Sequence, residues 1–186
     1  DAFVMDAFGS AHRAHASTYG VPEILNADGR DTAIGFLVEK EVKSLSKCVF
    51  DAERPYVAIL GGAKVSSKIK VIESLLNKCD KILIGGAMAF TFLKALGQPV
   101  GNSRYEADQL DFALKCVELA KEKNKLVLPI DHIVSKDFAT PVATEGTEIA
   151  DEYERLDIGA KTRALYHEVL QGAKTVFWNG PMGVFE

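Results

Sequence analysis

The sequence predicts an α/β fold, a parallel sheet wound on both faces in a Rossmann-like three-layer αβα arrangement. Three observations predict it. Short apolar runs rich in Val and Ile recur along the chain, amphipathic segments of helical period separate them, and three of the runs lead straight into Gly-rich turns. Strands that alternate with helices read as βαβ units, whose crossovers place helices on both faces of one parallel sheet.

The runs are Phe3 to Met5, Tyr56 to Leu60, Lys81 to Ile84, Leu126 to Val134 and Thr175 to Trp178, each short enough for a strand buried on both faces. The first helical pattern spans Ile34 to Val49. There Ile34, Val38, Val42, Leu45 and Val49 form one stripe, while Glu39, Lys40, Glu41, Lys43 and Lys47 cover the other side. This helix follows the turn signal Asn26-Ala27-Asp28-Gly29 and precedes Pro55, so its pattern suits a connection between two domains and an ordinary surface helix equally. Val65, Ile69, Ile72 and Leu76 repeat at helical spacing, as do Leu110, Leu114 and Val117. Leu165 and Val169 mark a last helix, closed by Gly172. Residues 145 to 157 hold six acids against Arg155 and read as a solvated loop.

Composition bounds what such a fold does. With 186 residues, 47% hydrophobic and 26% charged, the chain is neither disordered nor collagenous. A net charge of −4 supplies no positive excess to hold a phosphate backbone, which argues against a nucleic-acid partner. Cys48, Cys79 and Cys116 are odd in number and widely spaced, so no disulfide framework or zinc site is expected, and a reducing, cytoplasmic setting fits. The apolar runs fall short of the ~18 to 20 residues that span a bilayer, and no membrane partner is expected. The chain opens without Met and stops at Gly183-Val184-Phe185-Glu186, just past an apolar run and a turn, where a fold would be expected to continue.

The chemistry is expected at the turns. Gly61-Gly62-Ala63-Lys64, Gly85-Gly86-Ala87 and Asn179-Gly180-Pro181-Met182-Gly183 each follow a predicted strand, and in a parallel sheet all three lie at the carboxyl edge, where open α/β sheets bind ligands. Glycine lets backbone approach a ligand, and the exposed N–H groups that open a helix attract phosphate. Neither G-x-x-x-x-G-K-[ST] nor G-x-G-x-x-G is present, which excludes the P-loop and disfavours a dinucleotide-dependent oxidoreductase domain. Lys64, Lys68 and Lys70 crowd the helix start after Gly62, against the macrodipole, so an anion is expected nearby. Lys64 and Lys68, four apart, are expected on one helical face, within reach of one phosphate chain. His12, Arg13 and His15 lie within four residues; Arg13 suits bidentate phosphate or carboxylate contacts, although on spacing alone surface histidines beside a turn explain the pair better than a metal does. His132 and His167 have no chemical context and read as structural.

Asp6 to His15, Gly35-Phe36-Leu37, Ala58 to Val65, Ile84-Gly85-Gly86, Leu156-Asp157-Ile158-Gly159 and Trp178 to Glu186 together, and in this order, resemble phosphoglycerate kinase. The resemblance runs through the whole chain and is carried most specifically by His12-Arg13-Ala14-His15 and Trp178-Asn179-Gly180-Pro181. It implies the end of an amino-terminal phosphoglycerate-binding domain at 1–33, an interdomain helix at 34–52, and a carboxyl-truncated nucleotide-binding domain at 53–186. It further implies a cytoplasmic monomer of glycolysis that transfers a phosphoryl group from 1,3-bisphosphoglycerate to ADP, giving 3-phosphoglycerate and ATP with Mg2+ on the nucleotide. His12, Arg13 and His15 would hold the phosphoglycerate, and Arg13, Lys64 and Lys68 would be catalytic. Gly61, Lys64, Lys68, Gly85, Gly86, Gly159, Asn179, Gly180, Pro181 and Glu186 would line the nucleotide site. No metal ligand is expected within this chain, because the family's later Gly-Gly-Gly-Asp loop is not in it. Met5, Ser67, Ala87 and Ala160 depart from the residues usual in the family. The alternative is a catalytically incompetent fragment that acts only as a nucleotide-binding module.

Overall fold

A computed structural model describes residues 2–121, 124–144 and 146–184. The chain forms two compact units, Asp1–Ala52 and Glu53–Glu186. Among the described residues no helix is long and apolar enough to cross a membrane.

In the first unit strand β1 (Phe3–Met5) and strand β2 (Thr32–Ile34) pair in parallel, Phe3 beside Thr32 and Met5 beside Ile34. Helix α1 (Val21–Ala27) connects them. Pro22 sits in its first turn, where a missing N–H costs nothing, and Gly29 at φ +71° leads the chain away from its end. Helix α2 (Phe36–Phe50) starts two residues later than its apolar period suggests, because Ile34 is held in the sheet and Gly35 donates its amide to the Met5 carbonyl at 2.9 Å. Only Val38 on α2 is buried; Val42, Leu45 and Val49 of the predicted stripe are exposed.

The second unit is built on the parallel sheet the sequence predicts. Strands β3 (Tyr56–Leu60), β4 (Lys81–Ile84), β5 (Leu126–Val127) and, late in the chain, β9 (Thr175–Asn179) lie in the order β5-β4-β3-β9, all parallel. Helices α3 (Ile69–Lys78), α4 (Met88–Ala95), α5 (Leu110–Lys121) and α6 (Ala160–Gln171) complete the wound α/β architecture. Val57, Ile59 and Leu83 point to the face that Tyr166, Leu165 and Val169 of α6 cover. Alternation along a strand turns Ala58, Leu60, Ile82 and Ile84 to the other face, and these are 0% exposed, so both faces are covered. Tyr166 ties α6 to the sheet by donating its hydroxyl to the Ile84 carbonyl at 2.5 Å, and burial pushes its phenol well above the usual range.

This unit departs from the sequence pattern in two places. The apolar run Leu126 to Val134 is two strands in two sheets. It breaks at Pro129, which has no N–H for a ladder, and strand β6 (His132–Ser135) instead pairs antiparallel with β7 (Val142–Ala143) and β8 (Glu154–Ile158). The acidic stretch 145–157 accordingly ends in a strand and not in loop; its charges hide an alternation that buries Arg155.

Candidate functional site

Three glycine turns meet at the carboxyl ends of the adjacent strands β4, β3 and β9 and interlock through their backbones. Gly61 donates its amide to the Asn179 carbonyl and Gly62 to the Pro181 carbonyl, both at 2.9 Å. Gly85 donates to Leu60 at 2.8 Å and Gly86 to Met182 at 2.6 Å. The approach is so close that a Cβ on Gly61 would stand 2.0 Å from the Pro181 oxygen, and one on Gly180 would stand 2.4 Å from the Gly61 oxygen. Gly62, Gly86 and Gly180 also hold φ of +101°, +65° and +91°, a region side chains resist. The four amides named above therefore point into the protein. What the glycines bring is a thin wall at the sheet edge, with cations beside it.

Those cations do not share a helical face. The segment after Gly62 bends, then makes a 3-10 turn at Ser66–Lys68, and α3 begins only at Ile69. Lys68 is its N-cap residue, with φ −123°. Its side chain passes Gly62, with Cε 3.6 Å from where a Cβ would lie, and the Nζ donates to the Asn179 Oδ1 at the end of β9. Lys64 is exposed in the bend, which Ser67 closes by donating its hydroxyl to the Lys64 carbonyl at 2.9 Å. Ser66 is fixed to Glu106 through both its amide and its hydroxyl. Lys68 and Asn179 thus come together with Gly62, while Lys70 is exposed on α3.

A cavity of about 330 Å3 opens beside these turns. Gly62, Gly86 and Pro181 line it with Phe90, and so do Arg104 and Arg155, which sequence reasoning passed over. Gly159 is not among its lining residues. It is the N-cap of α6, pressed so close to Asp131 that a Cβ would stand 2.2 Å from the carboxylate. Asp131 supplies the cap that glycine lacks, accepting from the Lys161 amide at 2.8 Å and the Thr162 amide at 2.7 Å. Burial alone would raise the Asp131 carboxyl, but the Thr162 hydroxyl and these amides hold it below the usual range. Glu186 lies outside the described residues.

In the first unit His12, Arg13 and His15 follow a 3-10 turn at Phe8–Ser10 and are all exposed. Thr18 donates its hydroxyl to the Arg13 carbonyl at 2.5 Å, and the His15 carbonyl accepts from Tyr19 at 2.9 Å, so backbone bonds shape the turn and leave the side chains outward. Asp6, the first residue after β1, caps α2 by accepting from the Val38 amide at 2.9 Å. Among the described residues no three His, Cys, Asp or Glu side chains converge as a metal site.

A parallel sheet wound with helices, with interlocked glycine turns and a lysine at its carboxyl edge, defines an open-sheet α/β protein. The model of the family described as Phosphoglycerate kinase matches residues 1–186, and the chain belongs to that family. It is 53% identical over 190 residues to the phosphoglycerate kinase of Clostridium novyi, covering 100% of this chain and 47% of that protein. It is 56% identical over 189 residues to that of Enterococcus faecalis, covering 100% and 46%. The solved structure of phosphoglycerate kinase from Coxiella burnetii superposes with a TM-score of 0.88 at 41% identity, over 100% of this chain and 48% of that one. The enzyme from Pyrococcus horikoshii OT3 gives 0.83 at 32%, over 100% and 47%. The chain spans about half the length of the curated relatives it matches.

Proposed function

We propose that the second unit binds a nucleoside diphosphate or triphosphate at the glycine turns and that the chain serves the phosphoglycerate kinase reaction. In that reaction the phosphoryl group leaves the carboxyl oxygen of 1,3-bisphosphoglycerate, a new P–O bond forms to the terminal phosphate oxygen of ADP, and 3-phosphoglycerate and ATP result. The observation that carries the reading is the convergence of three glycine turns with Lys68 at one sheet edge. Transfer of this kind needs positioning and charge neutralisation more than a nucleophile on the protein. Lys68, already directed across the turn to Asn179, and the exposed Lys64 supply charge on the nucleotide side; Arg13, with His12 and His15, offers it to the phosphoglycerate. Gly61, Gly85, Gly86, Gly180 and Pro181 form the wall against which the nucleotide lies. Mg2+ would arrive on the nucleotide's phosphates. A cytoplasmic monomer is the setting we propose.

The test is titration calorimetry of the chain with ADP, ATP and NAD. ADP and ATP bind and NAD does not; Lys68→Ala and Lys64→Ala each weaken ADP by about tenfold, while Lys70→Ala leaves it unchanged. Preference for NAD, or equal losses for all three lysines, overturns the reading. Because the chain spans about half its relatives' length, binding without turnover is the second reading. A coupled assay for ATP formation separates the two.

A further inference from the structure

Residues 63–68 carry Lys64 and Lys68 on a bend in which only Val65 is buried. Left to itself such a bend samples many conformations, and an anion that needs both lysines must first still them. Two clamps hold it instead, and both lead to helix α4. In the first, the Gly62 carbonyl accepts from the Met88 amide at 3.0 Å. The second is Glu106, whose carboxylate accepts from the Ser66 amide at 3.1 Å and from the Ser66 hydroxyl at 2.5 Å, one bond on each oxygen. Glu106 is anchored in turn: its own amide donates at 3.1 Å to the hydroxyl of Thr91, a residue of α4 that is 1% exposed.

The second clamp sits midway between the two lysines. On one side of Ser66 the Lys64 carbonyl accepts from the Ser67 hydroxyl at 2.9 Å, and on the other the Lys68 amide donates to the Val65 carbonyl at 2.8 Å. Fixing Ser66 therefore fixes the backbone from which both ammonium groups start. On charge grounds alone a carboxylate is misplaced beside a phosphate site, because its field repels the ligand. Among the described residues it forms no ion pair with either lysine, so their neutralisation is not its role. What it supplies is a pair of acceptors that takes the amide and the hydroxyl of one residue together.

We propose that Glu106, acting through Ser66, is a positioning residue that holds Lys64 and Lys68 in place for the nucleotide phosphates. The inference rests on the nucleotide reading.

The experiment is calorimetric titration with ADP of the wild-type chain, Glu106→Ala, Ser66→Ala, the double variant and Glu106→Gln. Glu106→Ala and Ser66→Ala are each expected to weaken ADP about fivefold, the range in which freeing one or two long side chains costs a complex. Because both changes break one link, the double variant also loses about fivefold and not the product of the two. Glu106→Gln stays within about twofold of the wild type, since its amide donates to the Ser66 hydroxyl while its oxygen accepts from the Ser66 amide. Charge alone predicts the opposite sign: removing the carboxylate would tighten ADP in both Glu106 variants. Unchanged or tighter binding in Glu106→Ala, multiplying losses in the double variant, or a Glu106→Gln loss as large as that of Glu106→Ala overturns the positioning role and leaves the nucleotide site standing. Failure of the wild type to bind ADP overturns the nucleotide reading and this inference with it. Should Glu106→Ala fail to fold, Ser66→Ala and Glu106→Gln decide: a loss in the first with none in the second supports the link, and any other pair of results overturns it.

Discussion

His132 and Asp131 are neighbours with the same thermodynamic sign and different causes. His132 is 1% exposed, its ring edge-on to Phe90 with centroids 6.1 Å apart, and burial followed by the nearby Arg155 charge pushes its pKa down to about 3. It is a core residue, as its lack of chemical context in the sequence implies; His167, by contrast, is exposed on α6 beside Gln171. A histidine held neutral in the fold but titrating near 6.5 when unfolded releases a proton on folding. Its contribution is therefore present above pH 6.5 and lost as pH falls from there toward 3. The urea midpoint is expected to drop between pH 7 and pH 5, by up to about 1.4 kcal/mol per pH unit of stability below pH 6. In His132→Leu that slope flattens; an unchanged slope would assign it to another group. Asp131 is also depressed, but it matters only near and below pH 4, outside this window.

At the scale of elements the same device starts two helices. Helix α2 has Gly35 at its N-cap and α6 has Gly159, and neither glycine carries a capping side chain. In each case a carboxylate outside the helix does the capping, Asp6 just after β1 and Asp131 just before β6, and the glycine leaves the room it needs. A Cβ on Gly35 would stand 2.3 Å from the Asp6 carboxyl carbon. Asp6→Ala and Asp131→Ala are each expected to cost about 1 to 2 kcal/mol, the loss of one helix cap, with more at Asp131, where two amides and the Thr162 hydroxyl lose their acceptor. Gly35→Ala and Gly159→Ala should be similarly damaging, because the new Cβ would collide with the capping carboxylate. Urea denaturation of the four variants checks this, and a stabilised Gly→Ala variant would refute the steric account.

For the whole molecule, the second unit has its own two sheets, its own core and both lysines of the proposed site. Residues 53–186 expressed alone are expected to keep the helix and sheet signal of this part and, on the proposed function, to match the full chain in nucleotide affinity; circular dichroism and calorimetry test this. A disordered product would show that the two units depend on one another to fold. What the sequence by itself determined is what local pattern and covalent chemistry can carry. The Val- and Ile-rich runs of β3 and β4 mark strands buried on both faces, while that of β9 marks a strand whose Val176 and Trp178 stay exposed; the period through Leu110, Leu114 and Val117 marks α5, and Gly61, Gly85 and Gly180 mark the sheet edge. Elements too short for a period, β2, β7 and the seven-residue α1, left no signal, and Pro129 concealed a change of sheet inside one apolar run. The tertiary structure alone decided which glycine amides are consumed internally, that Lys68 reaches Asn179 from a 3-10 turn instead of sharing a helical face with Lys64, and that Arg155, in a stretch that reads as solvated acid, is buried in the cavity. These depend on pairings across scores of residues, such as 68 with 179 and 155 with 90, and no local pattern encodes a contact whose partner lies so far along the chain.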